Sequence, residues 1–356
     1  MPKDQHPLFI INSVAPIRIC DNGGWTDTWF AGYGKIFNIG VYPYAEVQIA
    51  VYPLAERENR IMIHAENYGD RYAVIPHEEL PAEHHWNKHP LLEAAIDFMG
   101  IPEDLAFEVT IYSEAPTGAS TGTSAAVTVA MIGGLDCLTP GRLTAHQVAL
   151  TAQRIETELL HQQSGIQDQI CSAYGGINFI EMYNYPHASV SPVQIPNSDW
   201  WELERRLALI YLGKSHHSSS IHEMVIRGLE NAGPDCQQLQ HLRLTAEKSR
   251  DALYAGDFAA LGQAMIENTA AQARLHPDLI SPESQRIIAI AKEHGALGWK
   301  VNGAGGDGGS ITLLCDDHSY HKRTILREIE QENPLFQNIP IYLSRYGLRV
   351  WKQACC

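Results

Sequence analysis

Pro116-Thr-Gly-Ala-Ser-Thr-Gly-Thr-Ser-Ala-Ala126 is the stretch on which the reading of this chain turns. An apolar strand over 107–112 leads into it. A helix over 123–138 leads out, apolar nearly all round and therefore buried. Glycines let the backbone wrap an anion, and N–H groups at a helix N-terminus favour negative charge. The hydroxyls of Thr123 and Ser124 can reach a metal ion. Two readings of the segment stand side by side: an anion-binding loop, and a tight turn closed by a Thr or Ser N-cap. It is not a Walker A loop, because no Lys follows Gly122.

The whole chain bounds what that loop can serve. Its 356 residues suffice for two domains or one large one. Hydrophobic residues at 45% and charged residues at 19% give an ordinary globular balance, which disfavours disorder. Against 41 Asp and Glu stand 26 Lys and Arg, a net charge of −15. Such acidity argues against nucleic acid or an anionic membrane as partner. A phosphate ligand would need a metal ion and backbone N–H donors. Residues 1–6 lack a signal-peptide pattern. The longest nearly apolar run, 125–135, falls short of the ~20 residues that cross a bilayer. A soluble, cytosolic protein is expected. The seven cysteines are odd in number and contain no CxxC, so neither a disulfide framework nor a zinc knuckle is indicated.

Strands are expected over 8–20, a strand–turn–strand over 36–51, and a hairpin around Tyr68-Gly69-Asp70. Ala45, Val47, Ile49 and Val51 alternate with their neighbours as in a half-buried strand. Helices over 90–99 and 145–160 follow, then a polar loop to Tyr174 and a strand over 176–182. A boundary rich in Pro, Asn and Ser covers 183–204, which divides the chain into 1–203 and 204–356. Beyond it come a strand over 207–212, helices near 219–230, 237–254, 257–274 and 283–294, and strands over 299–302 and 310–315. A helix over 319–331 and a strand over 340–344 complete the pattern. Early strands and late helices suggest an α+β fold.

Several side chains carry possible chemistry. Asp168 is the one Asp, Glu, Lys or Arg from Leu159 to Ile180; such a carboxylate either caps a turn or is held for chemistry. Glu156 and Glu158 lie on the preceding helix and face different sides, so at most one points into a site. Arg18 is the one charged residue between Gln5 and Cys20, inside an apolar strand, and Asp27 nine positions on is its candidate ion partner. Gly303-Ala-Gly-Gly-Asp-Gly-Gly309 formally matches GxGxxG, but a strand-like segment follows where a dinucleotide site needs a helix. It reads as a second ligand-facing backbone loop or a plain hairpin turn. The adjacent His216 and His217, with no HExxH in the chain, do not suggest a transition-metal site.

Together these segments resemble the GHMP kinase superfamily, from about Ala15 to about Trp351. Ala15-Pro-Ile-Arg-Ile with Gly23-Gly-Trp-Thr-Asp27 resembles the first motif of that family, in a form most similar to its sugar 1-kinase branch. Pro116 to Ala126 resembles the ATP-phosphate loop. Gly165-Ile-Gln-Asp-Gln169 resembles the segment with the catalytic Asp, and Gly303-Ala-Gly-Gly306 the third motif. The resemblance implies a ribosomal protein S5 domain 2-like N-terminal domain and a ferredoxin-like C-terminal domain, with the site between them. It implies ATP and Mg²⁺ as cofactors. Asp168 would take or orient the proton of the attacking hydroxyl, with Arg18 polarising the reacting groups. Pro116, Gly118, Ala119, Ser120, Thr121, Gly122, Thr123 and Ser124 would cradle the nucleotide phosphates, while Ser124 and Glu156 hold the metal. Trp25, Thr26, Asp27, His216, His217, Gly305, Gly306 and Asp307 would face a sugar.

Three departures stand out. Ser120-Thr121 replaces a common Gly-Leu, Asp307 replaces a glycine, and Cys20-Asp21-Asn22 replaces a more apolar stretch. The sequence therefore predicts an ATP-dependent kinase acting on the anomeric hydroxyl of a sugar, fucose- or galactose-like or a heptose 7-phosphate. A non-catalytic sensor on the same fold, or a kinase for a non-sugar alcohol, are the alternatives.

Overall fold

One long strand organises the first half of the chain. The computed structural model describes residues 6–75, 86–139, 142–215 and 219–354. Within them β1 (Phe9–Asn22) lies antiparallel to β2 (Gly34–Pro53) along nearly its whole length. The strand–turn–strand expected over 36–51 is instead one continuous strand. Pro43 has no N–H for the ladder, and the pair absorbs the break as a bulge: Pro16 faces Tyr44 while Ile17 faces Val41. The alternation over 45–51 buries Ala45, Val47, Ile49 and Val51 and exposes Glu46 and Gln48.

β3 (Ile61–Ala65) and β4 (Asp70–Ala73) form the expected hairpin, and β5 (Leu105–Ser113) joins β3 in parallel and β2 antiparallel. Three helices follow β4 along the chain on either side of β5: α1 (Pro90–Met99), α2 (Thr123–Asp136) and α3 (Ala145–Arg154). α2 packs on β1, β2, α1 and α3, so its apolar circumference is covered on every side. α3 passes into a π-helical turn, Ile155–Leu159. The polar loop expected as far as Tyr174 contains a helix, α4 (Gln167–Tyr174), which also packs on α2, α3 and β1. Next, β6 (Ile177–Asn184) pairs with β2 beyond the bulge.

The expected boundary over 183–204 is structured too. β7 (His187–Pro192) pairs with β6, and α5 (Asn197–Arg206) follows. Pro192 ends the strand and Pro196 precedes the helix, so the prolines punctuate elements where the composition suggested a linker.

A second sheet has the antiparallel order β11 (Gln337–Ile339), β8 (Leu207–Tyr211), β10 (Ser310–Leu314), β9 (Gly298–Val301). Its helices are α6 (Ser219–Leu229), α7 (Gln237–Tyr254), α8 (Phe258–Leu275), α9 (Pro282–Glu293) and α10 (Ser319–Glu332). α7 lies on β2 and on α8, and α8 lies on β9, so this helix pair bridges the two sheets. The chain then returns to the first sheet: β12 (Tyr342–Leu343) pairs with β2 and β13 (Arg349–Ala354) with β1. The expected strand over 340–344 shrinks to β12, and β13 was not foreseen. Residues 342–354 thus close the sheet of the first half although they follow 204. Among the described residues no helix is long and apolar enough to cross a membrane. The architecture brings four pieces to one place: the end of β1, the N-termini of α2 and α4, and the loop between β9 and β10.

Candidate active site

Arg18 emerges from β1 with its side chain 4% exposed. A guanidinium so placed must be matched, and it is. Nε donates to Asp168 Oδ1 at 2.8 Å, Nη2 to Asp168 Oδ2 at 3.3 Å, and Nη1 to the carbonyl of Ser120. Two parallel bonds fix the plane of the pair. Burial alone would lower the arginine pKa, but the Asp168 and Asp21 carboxylates outweigh it and hold the group above its ordinary value. Asp168, in the first turn of α4, stays 29% exposed. The Arg18–Asp27 pair weighed from sequence is not the one adopted.

The glycine loop closes over that pair. Gly122 occupies the N-cap of α2 at φ 69°, with no side-chain cap, and Thr123 and Ser124 fall in the first turn. The positive φ favours glycine at position 122, and a Cβ would in addition make a tight contact, 3.1 Å, with the Asp168 carboxyl. Ser120 takes φ 57°, a left-handed conformation uncommon outside Gly, Asn and Asp. A conformation that favours glycine is thus held here by a strained serine. Ties on both sides hold it: the Arg18 N–H donates to the Thr121 carbonyl at 2.9 Å, and Ser310 Oγ to the Ala119 carbonyl at 2.6 Å.

Two cavities meet at Arg18 and Asp168. One of about 500 Å³ is lined by residues 117–124 of the glycine loop and, farther out, by Tyr68, His89 and Leu91. The other, of about 190 Å³, is lined by Trp25, Asp27, Trp29, Phe30, Ser164 and Gln167. Arg18, Asp168, His222, Gly303 and Ala304 border both. A donor in the larger cavity and an acceptor in the smaller one would therefore face each other across the Arg18–Asp168 pair.

The remaining predicted residues divide. Trp25 lines the smaller cavity, its ring edge-on to His222 with centroids 4.9 Å apart. Asp27 lines it too, but Oδ2 accepts from the backbone N–H groups of Ile166 and Gln167 at 3.0 and 3.1 Å. It thus ties the β1–β2 connection to the start of α4, and a Cβ on Gly165 would fall 2.0 Å from that oxygen. Burial pushes the Asp27 carboxyl up to about 6, against the opposing pull of the Gln167 N–H. Thr26 is fully buried, its hydroxyl donating to the Gly23 carbonyl at 2.7 Å, so it holds the turn and lines neither cavity. Gly305 and Gly306 pack on Leu279, whose carbonyl accepts from the Gly306 N–H at 2.8 Å. Asp307 is 72% exposed beside Lys214. Of that third loop, Gly303 and Ala304 face the cavities. His216 and His217 lie outside the described residues.

Glu156, in the π-helical turn, is buried, while Glu158 is exposed and pairs with Arg154. Glu156 Oε2 accepts from Gln169 at 2.9 Å, and Oε1 is buried without a hydrogen-bond partner. Burial raises its pKa to about 7, opposed by Ser164 and Gln169.

Sequence reasoning missed three residues. Asp21 and Lys300 form a fully buried ion pair, 3.1 Å, and Asp21 also accepts from the Gly303 N–H at 3.0 Å. Burial lowers the Lys300 pKa. The signal was present: Lys300 is a lone charge in a strand-like segment, the same criterion that singled out Arg18. His222, which borders both cavities, carries no distinguishing signal in the sequence.

Comparison with known proteins places this geometry. Residues 90–176 match the GHMP kinases N terminal domain and residues 249–332 the GHMP kinases C terminal domain. A mevalonate kinase of Thermococcus sibiricus is 30% identical over 252 residues, 68% of this chain and 68% of that protein. The chain belongs to the GHMP kinase family. This GHMP kinase is also 27% identical to the D-glycero-alpha-D-manno-heptose 7-phosphate kinase of Campylobacter jejuni, over 70% of this chain and 71% of that one. The crystal structure of a D-glycero-D-manno-heptose 1-phosphate kinase from Bacteroides thetaiotaomicron has the same fold, with TM-score 0.73 at 21% identity. That alignment covers 97% of this chain and 100% of the other. The protein is accordingly an ATP-dependent small-molecule kinase with the two-domain fold of its family.

One expectation for this GHMP kinase follows from Asp27. A carboxyl raised from 3.8 to about 6 by folding favours the folded state below pH 4, and that stability is lost as pH rises through about 6. Asparagine can accept the same N–H bonds without the charge. Asp27→Asn should therefore raise the unfolding temperature at pH 8, relative to the native protein, more than at pH 4. Thermal unfolding at the two pH values checks this; an equal effect at both would contradict it.

Proposed function

We propose that this GHMP kinase transfers the γ-phosphoryl group of ATP to the anomeric hydroxyl of a sugar. The observation that supports it most is the Arg18–Asp168 pair at the junction of the two cavities. Phosphoryl transfer demands positioning and charge neutralisation more than covalent chemistry. The larger cavity, bordered by the glycine loop and the start of α2, suits the nucleotide: backbone N–H groups and the helix N-terminus favour its phosphates. The smaller cavity suits the acceptor, with Trp25 beside the sugar face and Asp27 toward its hydroxyls. Fucose- or galactose-like sugars and a heptose 7-phosphate are the candidate acceptors.

Asp168 receives the proton of the attacking hydroxyl, or directs that hydroxyl at the phosphorus. Arg18 fixes the plane of Asp168 and presents positive charge where the phosphoryl group passes. Gly303 and Ala304 confine the transfer space from the second half of the chain. Ser124 and Glu156 would hold Mg²⁺: Ser124 lines the larger cavity, and Glu156, which lines neither cavity, carries a buried Oε1 without a hydrogen-bond partner that a metal would satisfy. When bound, the metal supplies charge neutralisation for the nucleotide phosphates.

Phosphorus NMR of the product tests the acceptor position. A resonance coupled to the anomeric proton is expected; a phosphate on a primary hydroxyl, or turnover of non-sugar alcohols alone, would contradict the reading. The metal assignment has its own check. Glu156→Gln should raise the Mg²⁺ concentration for half-maximal activity about tenfold or more, while Glu158→Gln leaves it nearly unchanged. Equal effects would mean that Glu156 does not hold the metal.

A further inference from the structure

The proposed acceptor cavity also discriminates between the candidate sugars. Resting on the sugar-kinase reading, we infer that the acceptor is an unphosphorylated monosaccharide, recognised by hydroxyls that both donate and accept. Three carboxylates, Asp21, Asp27 and Asp168, line the cavity. Among the described residues its lining contains one Arg or Lys side chain, Arg18, and each of its three nitrogens already serves Asp168 or the Ser120 carbonyl. A sugar bearing a distal phosphate would bring a second dianion into this setting. Lys214, the nearby cation, stands beside Asp307 and Glu283, 3.5 and 3.9 Å away, and does not line the cavity.

Two further atoms point to hydroxyls. Trp25 Nε1 and Gln167 Oε1 belong to residues 9% and 7% exposed that line the cavity, and both are buried without a hydrogen-bond partner. One is a donor and the other an acceptor. A buried donor and a buried acceptor both left unpaired are costly, so each selects a ligand that completes it. A sugar hydroxyl can satisfy either. A phosphate dianion only accepts, so it cannot itself complete Gln167 Oε1. The faces of Trp25, Trp29 and Phe30 supply apolar surface for the C–H side of a sugar ring.

The test compares each neutral sugar with its own phosphate ester: galactose with galactose 6-phosphate, mannose with mannose 6-phosphate, and a heptose with its 7-phosphate. ADP formation is read with ATP and Mg²⁺ at saturation. We expect kcat/KM for the best neutral sugar to exceed that for every phosphorylated one by at least about 100-fold, because like-charge juxtaposition in a cavity is strongly penalised. Trp25→Phe keeps the ring and removes the donor, so it should raise KM for the neutral sugar about threefold to tenfold with kcat little changed. Preference for a phosphorylated sugar would overturn the inference and leave the sugar-kinase reading standing. Turnover of non-sugar alcohols in place of both sets would overturn the two together.

Discussion

A buried guanidinium cannot be left without partners, and the partners Arg18 selects give the site its shape. Its two-pronged bond to Asp168 fastens the end of β1 to the first turn of α4. Its third nitrogen holds the Ser120 carbonyl, and its backbone N–H the Thr121 carbonyl, so the glycine loop is tied to the same residue. Asp168 in turn lies close to the N-cap of α2, where Gly122 takes a positive φ and a Cβ would meet the Asp168 carboxyl at 3.1 Å. Asp168, the glycine loop and the strand between them are therefore held by one side chain. Moving any of them would leave a charge buried and unmatched.

The second half of the chain is tied in by the same means. Lys300 on β9 reaches Asp21 near the end of β1, and Asp21 receives the Gly303 N–H. Asn302 accepts from the Cys20 N–H at 3.2 Å and from Thr312, and donates to Ser310, whose hydroxyl grips the glycine loop. The polar stretch Cys20-Asp21-Asn22 thus carries the connection between the two sheets, which explains why an apolar version of it would not serve here. Glu156 and Asp27 add two more buried carboxyls, both with raised pKa values. Such groups weaken the fold at neutral pH, because burial opposes their charged form.

Much of the fold was legible because its signals are local. The apolar circumference of α2, the alternation over 45–51 and the isolation of Arg18 and Asp168 each rest on a few adjacent residues. The misreadings have physical causes. Pro43 resembles a turn signal, yet a bulge accommodates it without reversing the strand. Prolines 192 and 196 suggest a linker, yet they stop one element and start the next. α4 has eight residues, and the polar Gln167, Gln169 and Ser172 are among its buried ones, so its period was hidden. β13 is an edge strand whose identity depends on β1, more than 300 residues away in the chain. The site was less legible than the fold for the same reason. Asp27 was expected to face a ligand or Arg18; that it also serves α4 follows from Gly165, which leaves room for its carboxylate. The choice of Gly303 and Ala304 over Gly305 to Asp307 was fixed by Leu279, distant in sequence.

The central claim is that Arg18 and Asp168 act as one unit at the junction of the two cavities. A double-mutant cycle on turnover tests it most directly, using Arg18→Gln, Asp168→Asn and the double variant, with ATP binding and folding monitored for each. If the pair acts as a unit, Asp168→Asn lowers kcat by about 10²–10⁴-fold, and adding Arg18→Gln costs far less than it does alone. Strictly additive losses, or an Asp168→Asn protein that is folded and fully active, would contradict the account.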